Sequence, residues 1–196
     1  MRGLHLGPDG STLPRATARL HFRWWRTDDL ELARVLWGDP QVTRLIDARG
    51  ALTAAQVRDR LHAEIATADA HGVQYWPIFD HKNEGHIGCA GLRPYDLERA
   101  IYEVGTQLCA AHWGRGLATE AARSVLAHAF DHLHAQAVFA GHNPANHASR
   151  HLLGKLGFRY THDELYPPTG LMHPSYLMTA AEYQQHRSDA QTPTTS

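Results

Sequence analysis

Cysteine is nearly absent from this 196-residue chain, which has only Cys89 and Cys109. Two cysteines cannot build a disulfide framework, and they read as reduced thiols of a cytoplasmic protein. Long hydrophobic runs are also missing. None approaches the roughly 18 residues of a membrane span, and the opening Met-Arg-Gly-Leu-His-Leu-Gly-Pro-Asp-Gly lacks the apolar core of a signal peptide. Charge of one sign is lacking too. Lys plus Arg number 19 and Asp plus Glu 20, so no net field draws the chain to nucleic acid or to an anionic membrane. There is no His-Glu-x-x-His and no cysteine pair at zinc spacing, so no metal is expected.

What is present is an ordinary globular composition, 43% apolar and 20% charged, with enough length for one well-packed domain. The expected organisation is a flexible segment at 1–16, one domain at 17–187 and a disordered polar tail at 188–196. Histidine is in excess, at 16 residues. His128 and His132 are four apart on a predicted helix and share its polar side with Arg123 and Asp131, which reads as a solvated face. The excess is read as composition.

Along the chain, Arg19 to Trp25 reads as a strand, followed by a helix capped at Thr27 or Asp28 and running to Trp37. Asp39-Pro40 breaks it, and a short helical stretch follows at 41–46. Thr53-x-x-Gln is a capping box opening a helix to about Ala70. Val73 to Asp80 and His86 to Arg93 are strands around the Lys82–Gly85 loop, and Ile101 to Leu108 is a fourth. A helix with a core-facing stripe spans Leu117 to Leu133. Ala137 to Gly141 is the next strand, parallel to the fourth if the crossover has the usual hand. A helix from Asn146 to Leu156 ends at Gly157, and strands at Phe158 to Thr161 and Ser175 to Thr179 close the order. The fold class is a mixed α/β sheet of seven strands, mostly antiparallel with one parallel step, flanked by about four helices.

The most informative stretch is Trp113-Gly114-Arg115-Gly116-Leu117-Ala118-Thr119-Glu120. A glycine turn between a strand and a helix start is a ready anion site, because the first helical N–H groups have no partner inside the helix and the dipole is positive there. Gly114 and Gly116 let a phosphate approach the backbone, and Arg115 adds charge at the rim. If the fourth and fifth strands splay, an extended ligand can enter the gap and pair with free backbone groups. Gly105, mid-strand, marks a bulge or a close backbone approach. Asn143 to Ser149 follows the fifth strand and faces the same cleft, with Asn146 able to cap the next helix.

Together these segments resemble the GNAT superfamily of acetyl-coenzyme A-dependent N-acetyltransferases, nearest to the branch that acetylates N-terminal alanine of ribosomal proteins. The likeness runs from about Arg19 to Tyr183. It rests on the opening strand with Asp28-Asp29-Leu30, on Leu36 to Pro40, on Tyr102-Glu103-Val104-Gly105, on the glycine turn, and on Asn146 to Ser149 leading into Leu156-Gly157-Phe158. The superfamily's pyrophosphate loop, Gln/Arg-x-x-Gly-x-Gly/Ala, falls on Trp113 to Ala118, with Trp113 in place of Gln or Arg. The resemblance implies that Gln107, Leu108 and Cys109 pair with the pantetheine arm through main-chain atoms. Trp113 to Thr119 would cradle the phosphates, and Asn146 and Ser149 would contact the same arm.

The implied reaction is attack of a primary amine on the thioester of acetyl-coenzyme A. An alkyl ammonium has a pKa near ~10, so a base must take its proton first. Glu103 is the leading candidate; Asp163 and Glu164 are rivals, and His173 is a weaker one. A strand N–H near Gln107 or Leu108, freed by a bulge, would serve the developing oxyanion. Ser149 would serve the departing thiolate, whereas Tyr160 and Tyr176 fit no motif position. Cys109 has no charged neighbour in sequence to activate it, which favours direct transfer over an acyl-enzyme. Trp37, Trp76, Glu164 and Tyr166 are expected on the acceptor side, where a protein N-terminus or a small-molecule amine would bind. Homodimers are a family habit that no segment here displays. A silent coenzyme A-binding module on the same fold is the alternative, separated from the enzyme by turnover.

Overall fold

The computed structural model describes residues 12–46 and 50–191. Seven strands make one sheet in the order β1-β2-β3-β4-β5-β7-β6. They are β1 (Leu20–Phe22), β2 (Tyr75–Asp80), β3 (His86–Asp96), β4 (Ile101–Leu108), β5 (Ala137–Gly141), β6 (Arg159–Tyr166) and β7 (Leu171–Thr179). Every neighbouring pair is antiparallel except β4 and β5. This is the mixed sheet with one parallel step that the element order implies.

The helices among the described residues are α1 (Leu30–Trp37), α2 (Pro40–Thr43), α3 (Ala54–His71), α4 (Leu117–Asp131), α5 (His147–Leu156) and α6 (Ala180–Gln191). Five of them answer to the helical stretches expected from the sequence, including the short one after Asp39. The single turn of α2 is capped by Asp39, whose side chain accepts from the Gln41 N–H. The one not expected, α6, has no apolar stripe to betray it. It docks by stacking Tyr183 on Phe130 at 4.5 Å and by pairing Arg187 with Asp131 at 2.9 Å. Its residues include 188–191, the start of the expected tail; 192–196 lie outside the described residues, as do 1–11. Residues 12–16 lie along α4, where the Arg15 carbonyl accepts from Ser124 Oγ at 2.5 Å and Leu13 packs on the core.

Local chemistry sets the helix ends. The capping box at Thr53 and Gln56 forms in both directions. Gly157 ends α5 in the left-handed conformation, at φ 88°. Strands β6 and β7 run longer than expected, because β6 is exposed along its whole length and so shows no hydrophobic alternation.

Two cores fill the two faces of the sheet. On one face α4 and α5 pack Leu117, Val125, Leu126 and Leu153 against Trp76, Leu92, Val104 and Val138. On the other, α1 and α3 pack Leu36, Trp37, Val57 and Leu61 against Tyr75 and Cys89. His128 corrects the sequence reading. It is 2% exposed, packs edge-on against Trp76 at 5.4 Å, and shares no solvated face. Burial lowers its pKa to about 4.

Candidate active site

Strands β4 and β5 pair over only three positions, Ile101↔Ala137, Tyr102↔Val138 and Glu103↔Phe139. Beyond Glu103 they part. From Val104 to Leu108, β4 keeps β3 along one edge and, among the described residues, has no strand along the other. Backbone groups on that edge are available to an extended ligand. A bulge is not the cause, which corrects the sequence reading: the β3–β4 register is regular from Leu108 to Tyr102, and its irregularity lies at Pro94/Asp96. Gly105 serves a close approach instead, since a Cβ there would collide with the Tyr75 ring.

The gap opens into a cleft of about 610 Å³. One end is the glycine turn. Gly114 and Gly116 both have positive φ, 72° and 74°, a conformation that costs a side-chain-bearing residue free energy. Gly116 is the N-cap of α4 and supplies no side-chain cap, so the first N–H groups of α4 stay open to a ligand. The turn is braced by the residue that precedes β1. Arg19 donates through Nη1 to the Arg115 carbonyl at 3.0 Å and through Nε to Glu120 at 2.6 Å. Trp113 lies 45% exposed at the rim and donates its indole N–H to the Leu108 carbonyl at 2.8 Å.

Gln107, Leu108 and every residue from Trp113 to Thr119 line this cleft, as do Asn146 and Ser149. Asn146 caps α5 by accepting from the Ser149 N–H at 3.0 Å, which leaves its amide N–H groups for a ligand. The Ser149 hydroxyl makes no hydrogen bond to the described residues. Cys109 is different from the expectation. It is buried, its N–H donates to the Ile87 carbonyl at 2.9 Å and its carbonyl accepts from His112, so its main chain is already engaged. Burial raises its thiol pKa to about 11, against any role as a nucleophile.

Glu103 sits where the strands part and lines the cleft. Burial raises its pKa; Arg93 and Arg60 pull it down and Glu164 pushes it up. Along the same face of β4, the Gln107 side chain accepts from Trp37 Nε1 at 2.7 Å. The far wall is β6 and β7, which present Glu164, Tyr166, His173 and Ser175 to the cleft. Tyr166 packs on His173 at 4.7 Å, and the Tyr95 hydroxyl reaches Glu164 at 3.5 Å. Glu164 and His173 therefore share the cleft with Glu103. Asp163, on the alternate face of β6, does not line it and accepts instead from Tyr160.

Two aromatic residues expected at the acceptor do not line the cleft. Trp37 and Trp76 are both fully buried, Trp37 beneath Gln107 and Trp76 in the α4 core, because large rings on these elements are worth most to packing. In their place is a charged group that the sequence reading missed. Glu64 of α3, 1% exposed, contacts Arg93 and accepts from the Tyr75 N–H at 3.0 Å. Arg93 lies over the Tyr75 ring at 4.3 Å and Arg60 over Trp37 at 4.9 Å. No local motif announces this group; a carboxylate on the core face of α3 is the only sign of it.

The residues suit a long phosphorylated thioester: an uncapped helix start with two left-handed glycines for its phosphates, an unpaired strand edge for its amide arm, and a half-buried carboxylate where the strands part. The family described as acetyltransferase (GNAT) domain matches residues 19–159. The chain is 27% identical over 143 residues to the uncharacterized N-acetyltransferase p20 of Bacillus licheniformis, covering 73% of this chain and 80% of that one. In fold it is similar to a GNAT-family acetyltransferase from Bacillus anthracis, with TM-score 0.74 and 20% identity, covering 86% of this chain and 98% of that one. It is similar too to RimL, a ribosomal L7/L12 α-N-protein acetyltransferase solved with coenzyme A, with TM-score 0.73, 11% identity and coverage of 86% and 98%.

Proposed function

Because this chain belongs to the GNAT acetyltransferase family, and is an acetyl-coenzyme A-dependent acyltransferase, we propose that it acetylates a primary amine by direct transfer, with Glu103 as base and Ser149 serving the thiolate. The observation that carries this reading is the free edge of β4, which begins beside Glu103 and ends at the glycine turn. Acetyl-coenzyme A, when bound, supplies the activated acetyl group. Main-chain N–H groups of Gly114 to Thr119 hold its phosphates. The β4 edge at Val104 to Gln107 and the Asn146 amide hold its arm. A strand N–H on that edge is available to the carbonyl oxygen on which charge develops.

Glu103 accepts the proton of the incoming ammonium, directly or through water. Its raised pKa brings it closer to the amine's and makes it a better acceptor than an exposed carboxylate. The Ser149 hydroxyl, unengaged by the described residues, donates to the departing sulfur. The acceptor enters between α2–α3 and the β6–β7 wall. Its amine belongs to a small molecule or to a protein N-terminus. The buried, proton-retaining thiols of Cys89 and Cys109 suit the reducing cytoplasm, where we place the enzyme.

The test is calorimetric titration with acetyl-coenzyme A, comparing wild type with Gly116→Trp, followed by thiol release with a panel of amines. Binding that is lost in a folded Gly116→Trp variant supports the cradle. Wild-type protein that does not bind, or that binds and never releases thiol with any amine, overturns the proposal.

A further inference from the structure

We infer that the acceptor amine carries a carboxylate close to its nitrogen, and that Arg60 of α3 binds that carboxylate. This rests on the acetyl-transfer reading above. Arg60 lines the acceptor end of the cleft, and its side chain is 20% exposed. Its guanidinium is held against the Trp37 ring, 4.9 Å from the centroid. Its Nε is buried and, like its other donors, bonds to none of the described residues. An arginine fixed by stacking, with its donors unspent, is preorganised for a planar anion. The guanidinium fork matches a carboxylate in a bidentate arrangement.

The neighbouring carboxylate does not satisfy it. Glu64 Oε1 lies 3.7 Å from Arg60 Nε, beyond a hydrogen bond. Glu64 is already spent, in contact with Arg93 through one oxygen and accepting the Tyr75 N–H through the other. Arg93 in turn stands opposite Glu103 in the ladder. While Glu103 is ionised, two guanidiniums face two carboxylates. Once Glu103 has taken the amine's proton, only Glu64 remains negative, and this wall holds an excess positive charge. A carboxylate on the acceptor balances it at the moment of reaction. On the opposite wall Glu164 lines the same space and suits the ammonium, so the site as a whole fits a zwitterion. The carboxylate comes either from the α-carboxyl of a free amino acid or from an acidic side chain at a peptide N-terminus.

Thiol release is measured on the full-length protein with matched pairs: alanine against alaninamide, and the amidated peptides Glu-Ala-Ala against Gln-Ala-Ala. In wild type, one pair shows kcat/KM higher for the carboxylate member by on the order of tenfold, chiefly through KM. Which pair it is identifies the source. In Arg60→Met, which keeps a stem over Trp37, that ratio falls towards one, and Arg60→Lys recovers part of it. Calorimetry with acetyl-coenzyme A verifies that the variants are folded. Equal turnover within both pairs overturns the inference and leaves acetyl transfer intact, as does a preference that survives Arg60→Met. Absence of thiol release with any amine overturns acetyl transfer itself, and this inference with it.

Discussion

Arg93 of β3 and Glu103 of β4 are direct partners across the antiparallel ladder, so the proposed base faces a guanidinium that buried Glu64 holds in place. Burial and this cation act on Glu103 in opposite directions, and burial is the stronger. Only ionised Glu103 can accept a proton, so kcat/KM rises with pH through its titration. The rise is centred above the ordinary value of a glutamate. Removing the cation in Arg93→Met moves it to still higher pH, and Arg93→Lys moves it less. A pH profile of thiol release reads the shift; an acid limb that stays put in Arg93→Met shows that Glu103 is not the group being titrated.

Replacing the base itself separates it from its neighbour on β6. Glu103→Gln lowers kcat by about 10²- to 10⁴-fold and leaves acetyl-coenzyme A binding in place, because the carboxyl lies at the far end of the free strand edge from the glycine turn. Glu164→Gln has the smaller effect on kcat. Steady-state kinetics beside calorimetry decides between them, and the reverse order makes Glu164 the base.

Asn146 has two tasks that a pair of variants pulls apart. Its side-chain oxygen caps α5, and the residue lines the cleft, where its amide N–H groups are proposed to meet the ligand. Asn146→Ala loses the cap, costing about 1 kcal/mol of stability, and weakens acetyl-coenzyme A binding. Asn146→Asp keeps the cap but loses the donors, so binding falls while the melting temperature holds. Equal melting losses in both variants count against this division.

Gly105 has no room for a side chain. Tyr75, which is 4% exposed and lies beneath Arg93, occupies the space a Cβ would take. Gly105→Val destabilises the fold by about 1–3 kcal/mol through overpacking, read as a lower urea midpoint. A midpoint equal to wild type's means that Tyr75 moves aside at little cost.

Buried His128 makes the protein sensitive to acid. Its pKa is about 4 in the folded state against ~6.5 in an unfolded chain. Between those values the unfolded state binds a proton that the folded state refuses. Stability from this source is complete above the unfolded value and declines as pH falls towards 4, by about 3 kcal/mol in all. His128→Leu flattens that decline. Urea midpoints at neutral and acidic pH test it, and an undiminished acid loss in the variant assigns the effect to other groups, with His86 next in line since burial lowers its pKa to about 4 as well.

How much of this was legible in the sequence depended on whether the cause was local. The glycine turn was readable because Gly114 and Gly116 answer to backbone conformation, and the capping box because Thr53 and Gln56 meet within one turn. The parallel step followed from a strand, a helix and a strand in order. Glu64, Arg60 and Arg93 were illegible, since they meet only when α3 packs across β3, and a charged residue looks solvent-facing until its partners are known. His128 misled for the same reason, although it continues the stripe of Ala121 and Val125 on α4. Trp37 and Trp76, which the sequence suggests as ligand contacts, are structural. Strand β6 and helix α6 were under-read because exposed elements carry no hydrophobic period.

The indole of Trp113 closes the carbonyl of Leu108, and Phe139 of β5 closes the ladder at Glu103. Between those stops the open edge runs from Val104 to Gln107, about 13 Å at the rise of an extended strand. That interval is a ruler cut into the sheet. On the proposed binding mode its length fixes how far from the glycine turn an acyl group can be presented, and a carrier whose amide arm is too short to span it will stop before it reaches Glu103.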